Sequence, residues 1–326
     1  MIPKNNRFKF LPKINSFKVY SYNWLGILFV FIAAASFAVK GIIAKFAFQE
    51  GVSITNLLFL RFAISTPLFW LGFYLFKRES NTFSVTVQDF KKCFLTGFLF
   101  LISALSDFAA ISIMDVGVER IIFFTYPCLI ILLMAILTRK LPPRSNILAF
   151  IITYIGVVMI AGITTKWSIF TQNLLGIFLA LIAALFYALF LIKSKNSMIE
   201  LGAIKFTVVS NTITFNLLLF YYIFSGQILT ISVNQNCLFY ILIIAVFCTV
   251  IPFFLLFEGI KRIGVSKTGI ISMIGPSITV LAAYFLLGER LSFHQIIGII
   301  ITVFGIFLLN LSGWVREAKI ATNKQC

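Results

Sequence analysis

Three charged side chains interrupt apolar stretches of the sequence and are its most informative chemical feature. Lys40, Arg61 and Asp107 each lie inside an apolar run that is long enough to cross a bilayer as a helix. A charge at that depth is costly, and such residues usually face a partner, a water-filled cavity or a substrate pathway. We therefore predict that these three residues bind the charged groups of a small solute.

The depths of the three charges place them in one layer. Lys40, Arg61 and Asp107 lie about four, five and seven residues from the same membrane face, or about 6, 8 and 10 Å along their helices. Each charge also has a purely structural explanation. Lys40 can extend its side chain to the membrane interface, and Arg61 and Asp107 can form an ion pair that stabilises the helices and does not bind substrate.

Polar residues and prolines in other apolar runs are candidates for the same cavity. The further candidates for substrate contacts are Tyr126, Tyr187 and Asn211. Proline removes a backbone donor and kinks a helix. The candidates for a hinge or cavity wall, with simple packing kinks as the alternative, are Pro127, Pro252 and Pro276. Glu119 and Arg120 are expected to be interfacial loop charges at the mouth of the fourth helix.

Residues for enzymatic and metal chemistry are scarce. The chain has one histidine and five scattered cysteines, without a CxxC pair. It also has no Walker sequence and no conspicuous nucleophile beside a base. We therefore predict no enzyme, no ATP-driven pump, no metal site and no cofactor.

The composition indicates a polytopic membrane protein. Of the 326 residues, 60% are hydrophobic and 11% are charged, whereas a soluble domain is about half apolar and about a quarter charged. The predicted fold class is all-α, with ten transmembrane helices. The helices are expected at residues 24–44, 56–76, 93–114, 120–138, 147–165, 174–193, 204–224, 237–257, 268–288 and 293–312.

The distribution of basic residues predicts the orientation. The net charge is +17, and of the 27 Lys and Arg residues 21 fall in segments on one side of the membrane and four on the other. Because basic loops stay inside, both termini are predicted to be cytoplasmic, in the inner membrane of a bacterium. The expected partners are the lipid bilayer and a small-molecule substrate, and not nucleic acid. The sequence leaves a homodimer open.

The two halves of the chain match at a nearly constant offset. Gly26 matches Gly176 at 150 residues, and Pro127 matches Pro276 at 149. Five helices per half is an odd number, so the second half enters the membrane from the opposite side, as in the inverted repeats of secondary transporters. The predicted segments are a basic cytoplasmic N-terminus at 1–23, repeats at 24–165 and 174–312, and a cytoplasmic tail at 313–326.

The three charged residues that are predicted to bind substrate all lie in the first half of the chain. At the repeat offset, Lys40 corresponds to Phe190, Arg61 to Asn211, and Asp107 to Leu256. A purely architectural charge is expected in both halves, so this asymmetry favours a role in handling substrate.

Three stretches resemble the EamA group of the drug/metabolite transporter superfamily. They are residues 56–63, residues 117–127 and residues 275–291, the last of which contains Gly-Glu-Arg at 288–290. The first half departs from that signature, with Thr-Arg-Lys-Leu at 138–141. The resemblance implies a small-molecule carrier with a central cavity between the halves, for amino acids, nucleotide-related metabolites or drugs.

These features together predict a secondary transporter that works by alternating access. The alternative is a membrane receptor or scaffold that transports nothing. Inverted repeats argue against that alternative, because they are a recurrent device of transporters.

Overall fold

The structure is a computed structural model that describes residues 16–76, 84–114, 116–139, 143–160, 174–224, 234–287 and 292–322. Every regular element in these ranges is helical, as the sequence predicts. The α-helices are α1 Ser16–Gln49, α2 Ile54–Phe76, α3 Val87–Ile113, α4 Val116–Phe123, α5 Tyr126–Thr138, α6 Arg144–Ile160, α7 Leu174–Leu201, α8 Ala203–Phe224, α9 Gln235–Ala245, α10 Ile251–Ile263, α11 Val265–Ser272, α12 Gly275–Leu287 and α13 Phe293–Thr322. A π-helix, Val246–Val250, joins α9 to α10.

Seven helical segments in the described ranges are long and apolar enough to cross a membrane. Three shorter apolar helices accompany them, at Tyr126–Thr138, Arg144–Ile160 and Phe293–Leu308. Large apolar side chains point outward, and Tyr74, Phe178 and Phe285 are 71%, 61% and 76% exposed. Such a surface fits lipid contact, and the predicted count of ten spans remains a prediction.

The two end helices are longer than the sequence predicts. The first helix begins at Ser16 rather than residue 24, and the last continues to Thr322 rather than ending at 312. The Gly-Glu-Arg sequence at 288–290 and the predicted end of the fifth helix at residue 165 lie outside the described residues.

Two predicted continuous helices are each divided into two. The helix predicted at 120–138 is divided at residues 124–125, and the helix predicted at 268–288 at residues 273–274. Pro127 and Pro276 follow these breaks, and neither can donate the hydrogen bond that would continue the helix through the break. Both breaks tighten into i to i+3 bonds, as from the Thr125 N–H to the Ile122 carbonyl at 3.0 Å. The two breaks lie 149 residues apart, at the offset of the sequence repeat.

Pro252 marks a third irregularity. It lies at the beginning of α10, directly after the π-helix. Its ring removes the donor for the Cys248 carbonyl, and the wider π turn accommodates this change, with the Ile251 N–H bonding back to the Val246 carbonyl. Such π turns often occur at functional sites.

The helices pack in reciprocal antiparallel pairs. Helix α3 packs along α7, and α1 packs along α10. Near one end, Gly26 of α1 lies against Ile263 of α10, and Gly176 of α7 lies against Met114 after α3. Each of these contacts is the repeat equivalent of the other.

Glycines let α6 and α13 approach at backbone distance. A Cβ atom on Gly156 would lie 2.4 Å from Thr302 Oγ1, and one on Gly305 would lie 2.3 Å from Thr153 Oγ1. Gly156 and Gly305 are repeat equivalents, and so are Thr153 and Thr302. Small residues commonly permit such close packing in membrane helices.

Polar side chains tie helices of the two halves together. Trp70 Nε1 donates to Thr212 Oγ1 at 3.1 Å, from α2 to α8. Ser103 Oγ donates to the Ala183 carbonyl at 3.0 Å, from α3 to α7. These bonds help to fix the relative rotation of helices that pack mainly through apolar side chains.

We predict that Gly156→Ala separates α6 from α13. The new methyl group meets backbone atoms, including Thr302 N at 2.6 Å, which cannot rotate away. The free energy of unfolding should fall by about 1–3 kcal/mol, measured by detergent-titrated unfolding in mixed micelles. Gly269→Ala is the matched control, because its Cβ would make ordinary contacts at 3.4 Å. Equal stability of the two variants would contradict the close approach.

Candidate functional site

A buried cavity lies where helices of the two halves meet. Its free volume is about 80 Å³, and its walls come from α1, α2 and α3, from both divided helices, from α7, and from the π-helix with α10. Eight aromatic side chains border it, among them Phe108, Phe123 and Phe253. The cavity therefore combines an apolar wall with the charged groups described next.

Five of the six residues predicted to contact substrate surround this cavity. They are Lys40, Arg61, Asp107, Tyr126 and Tyr187. Asn211, the sixth, is buried on α8 outside this lining, where its Nδ2 donates to the Thr207 carbonyl at 2.8 Å. Lys40 does not extend to the interface, because its side chain is only 16% exposed and faces Asp107.

Asp107 is the centre of a buried charge cluster. Lys40 Nζ lies 3.8 Å from Asp107 Oδ2, and Arg120 Nη1 lies 3.5 Å from Asp107 Oδ1. Arg120 Nε also lies 3.1 Å from Glu119 Oε2. One carboxylate on α3 thus joins a cation from α1 to a cation from α4.

Glu119 and Arg120 are not the interfacial loop charges that the sequence predicts. Glu119 is fully buried, and the Arg120 side chain is 15% exposed. The helix that carries them begins at Val116, four residues before its predicted start at 120. Sequence reasoning missed both residues because that small boundary error placed them at the mouth of the helix rather than within it.

Arg61 belongs to the same cavity but lacks an acidic partner. It is 3% exposed, and no carboxylate of the described residues lies within 4.0 Å of it. The structural pair with Asp107 that the sequence leaves open is therefore not formed. Its Nε and Nη1 atoms have no hydrogen-bond acceptor among the described residues.

Aromatic rings surround the three cations. The Arg61 guanidinium carbon lies 4.6 Å from the centre of the Phe62 ring and 5.7 Å from that of Phe108. Lys40 Nζ lies 5.3 Å from the centre of the Phe108 ring, so this ring contacts both cations. Cation–π contacts of this kind contribute about 2 kcal/mol when desolvated, and they supply no oxygen acceptor.

The three predicted hinge prolines act on the cavity through the residues that precede them. A proline leaves the carbonyl four residues earlier without its usual helical donor. For Pro127, Pro252 and Pro276 those carbonyls belong to Phe123, Cys248 and Ser272, which all line the cavity. The prolines themselves are buried behind this lining.

Two tyrosines close the aromatic side of the cavity. The rings of Tyr126 and Tyr187 meet edge to face, with centroids 4.9 Å apart and an interplanar angle of 89°. Phe123 packs on both rings, at 5.5 Å from Tyr126 and 5.3 Å from Tyr187. This arrangement offers flat apolar surfaces and two phenolic hydroxyl groups beside the charge cluster.

The arrangement can bind and orient a charged organic molecule. It supplies fixed cations, a paired carboxylate and aromatic walls in a space that is mostly shielded from solvent, where electrostatic forces are strong. Helices of both halves contribute, so a relative movement of the halves would change the access to this space.

We predict that Asp107→Asn destabilises the protein. Lys40 and Arg120 would keep their charges and lose the shared carboxylate, at a cost on the order of 3–5 kcal/mol. Detergent-titrated unfolding measures the change. Glu200→Gln is the control, because it breaks only the exposed pair with Lys92 at the helix ends, and it should leave stability nearly unchanged. An Asp107→Asn protein as stable as wild type would refute the central role of Asp107.

Comparison with known proteins identifies the family and supports the fold. The model of the EamA-like transporter family matches residues 24–162 and again residues 174–311. The uncharacterized transporter YcbK of Bacillus subtilis (strain 168) is 30% identical over 282 residues, which cover 84% of this chain and 88% of that protein. The uncharacterized transporter sll1319 of Synechocystis is 25% identical, over 88% and 94% of the two chains.

A solved crystal structure of a protein with 16% identity shares the fold. It superposes with a TM-score of 0.72 over 90% of this chain and 98% of its own. With the double family match, the chain belongs to the EamA-like transporter family and is a membrane transporter rather than an enzyme.

Proposed function

We propose that this protein is a secondary transporter that moves a small organic metabolite across the bacterial inner membrane by alternating access. The observation that carries the proposal is the cavity between the two repeats, which is lined by the charged residues Lys40, Arg61, Asp107 and Arg120. Buried charges of this kind are expensive in a membrane and typically mark a transport pathway.

The directions of the helices support an inverted repeat. Asn56, near the start of α2, bonds to Tyr222, near the end of α8. Gly156 and Gly298 approach each other across α6 and α13, and the neighbouring contacts run in opposite residue order along the two helices. Each of these pairs joins a helix to its repeat equivalent, and in each pair the two helices are antiparallel.

The helix interruptions support movement around the cavity. Both divided helices and the π-helix reach the cavity wall. Transporters commonly place discontinuous helices at their binding sites, and small backbone changes at such points absorb hinge movements. A scaffold that binds no ligand gives no reason for a charged cavity between the two repeats.

The first test is transport by the purified protein in liposomes. Sealed vesicles are incubated with a mixture of amino acids, nucleotides and organic acids, and their contents are identified by mass spectrometry against protein-free vesicles. We expect accumulation of at least one metabolite above the diffusion level. A well-folded protein that carries none of them would favour the receptor or scaffold.

The second test concerns the orientation. Because basic residues concentrate on one side, a reporter active only outside the cytoplasm should be silent when fused after Lys324 or within residues 77–92. The same reporter placed near Lys166 should be active. Activity of the fusion after Lys324 would overturn either the even number of spans or the cytoplasmic N-terminus.

A further inference from the structure

We propose that the cavity selects a small organic monoanion, whose carboxylate binds Arg61 and whose apolar body lies against the aromatic wall. The proposal rests on the transport function above and names its substrate class. Three independent features of the cavity lead to it: the free donors of Arg61, the sum of the buried charges, and the apolar surface.

The first feature is the pair of free donors on Arg61. A guanidinium does not lose its proton in a protein, and a buried charge without a partner is strongly destabilising. Arg61 is 3% exposed, and its Nε and Nη1 atoms lack acceptors among the described residues. Because the rings of Phe62 and Phe108 offer no oxygen atoms, a carboxylate entering the cavity supplies what these donors lack.

The second feature is the charge balance. The cavity cluster holds three cations, Lys40, Arg61 and Arg120, and the carboxylates Asp107 and Glu119. Both carboxylates already contact Arg120, and Asp107 also contacts Lys40. Counted by residue type, the cluster has one more cation than carboxylates, and Arg61 is the cation without a carboxylate within 4.0 Å among the described residues.

This balance discriminates between classes of solute. One carboxylate matches the free donors of Arg61, whereas the second carboxylate of a dianion finds Lys40 and Arg120 already paired and otherwise contacts aromatic rings. A cation adds to the existing excess, and the one carboxylate among the described lining residues, Asp107, already lies between Lys40 and Arg120. A zwitterion must place its ammonium group in the same positive surroundings, so it binds less well than the matching monoanion.

The third feature is the shape and chemistry of the wall. Phe124, Tyr126, Tyr187 and Phe253 form apolar surfaces around the charged groups. The free volume of about 80 Å³ is well below the roughly 300–1,000 Å³ of pockets for drug-sized ligands. Most of the body of a bound molecule therefore contacts rings rather than polar groups, and a phenyl body fits once these rings move apart.

The test uses four probes that share one phenyl body and differ in charge. They are phenylpropionate as monoanion, phenylalanine as zwitterion, phenylethylammonium as cation and benzylmalonate as dianion. Isothermal titration calorimetry at neutral pH measures their binding to the purified protein in detergent. We expect phenylpropionate to bind at least about tenfold more tightly than each of the others. Tighter or equal binding of another probe, or no binding of all four, overturns the proposal.

Variants of Arg61 test the assigned contact. Arg61→Gln should weaken phenylpropionate binding by at least about 30-fold, because it removes a buried charged partner. Arg144→Gln is the matched control, since Arg144 is exposed at the start of α6 away from the cavity, and it should bind as wild type. Arg61→Lys keeps the charge, so it should preserve the preference for the monoanion at lower affinity. Arg61→Lys remains informative if gel filtration shows that Arg61→Gln is not well folded.

Flux measurements separate this proposal from the proposed function. Phenylpropionate that binds but does not enter proteoliposomes would contradict transport and leave the anion site standing. Transport of another solute without any preference for the monoanion would contradict the anion site and leave transport standing. Unchanged phenylpropionate affinity in well-folded Arg61→Gln would remove Arg61 from the site.

Discussion

The constraint on which the site depends is that charged side chains must be kept inside an apolar bilayer. Arginine cannot escape the cost by losing its proton, so the protein has to provide partners for it. Asp107 does this for Arg120 and Lys40 from near the C-terminal end of α3. The positions of α1 and α4 around α3 therefore depend on these ion pairs as well as on side-chain packing. Arg61, which has no such carboxylate, remains the open position of the cluster.

The structural features that recur in both halves differ from the charged residues, which occur in one half only. Helix breaks, glycine contacts and antiparallel pairs recur in both halves at the offset of about 150 residues, within the two matched family segments. The charges do not recur, because the equivalents of Lys40 and Asp107 are Phe190 and Leu256, both buried. Two similar halves therefore build the frame, and the first half supplies the ionic chemistry within it.

The sequence predicts best what a single position reveals by its type. Lys40, Arg61 and Asp107 are recognisable because a charged residue stands out within a long apolar stretch of sequence. Glu119 and Arg120 are harder to recognise because a shift of four residues in the helix start separates an interfacial charge from a buried one. Asn211 lies outside the cavity lining, because the amide of a polar residue in a membrane helix can also donate to a carbonyl of its own helix, as its bond to Thr207 does.

There is a physical reason why the sequence does not predict which charged side chains contact each other. In a soluble helix the apolar stripe shows which face is buried, but here lipid and protein interior are both apolar, so the sequence of α3 does not fix its rotation. Only the packed structure shows that Asp107 meets Lys40 and Arg120 rather than Arg61. The helix breaks are partly predictable, because Pro127 and Pro276 mark them, yet the π turn before Pro252 depends on how the helix absorbs the missing donor.

The charge count also affects how an empty and a loaded carrier differ. A closed cavity with one uncompensated cation is costly in a medium of low dielectric constant, and that cost is greatest when water is excluded. An anion at Arg61 removes the excess charge and supplies acceptors to donors that otherwise have none. Under the proposed function, closing the cavity is therefore more favourable with the anion than without it. Under the two proposals, Arg61 therefore both recognises the anion and makes transport depend on the anion being bound.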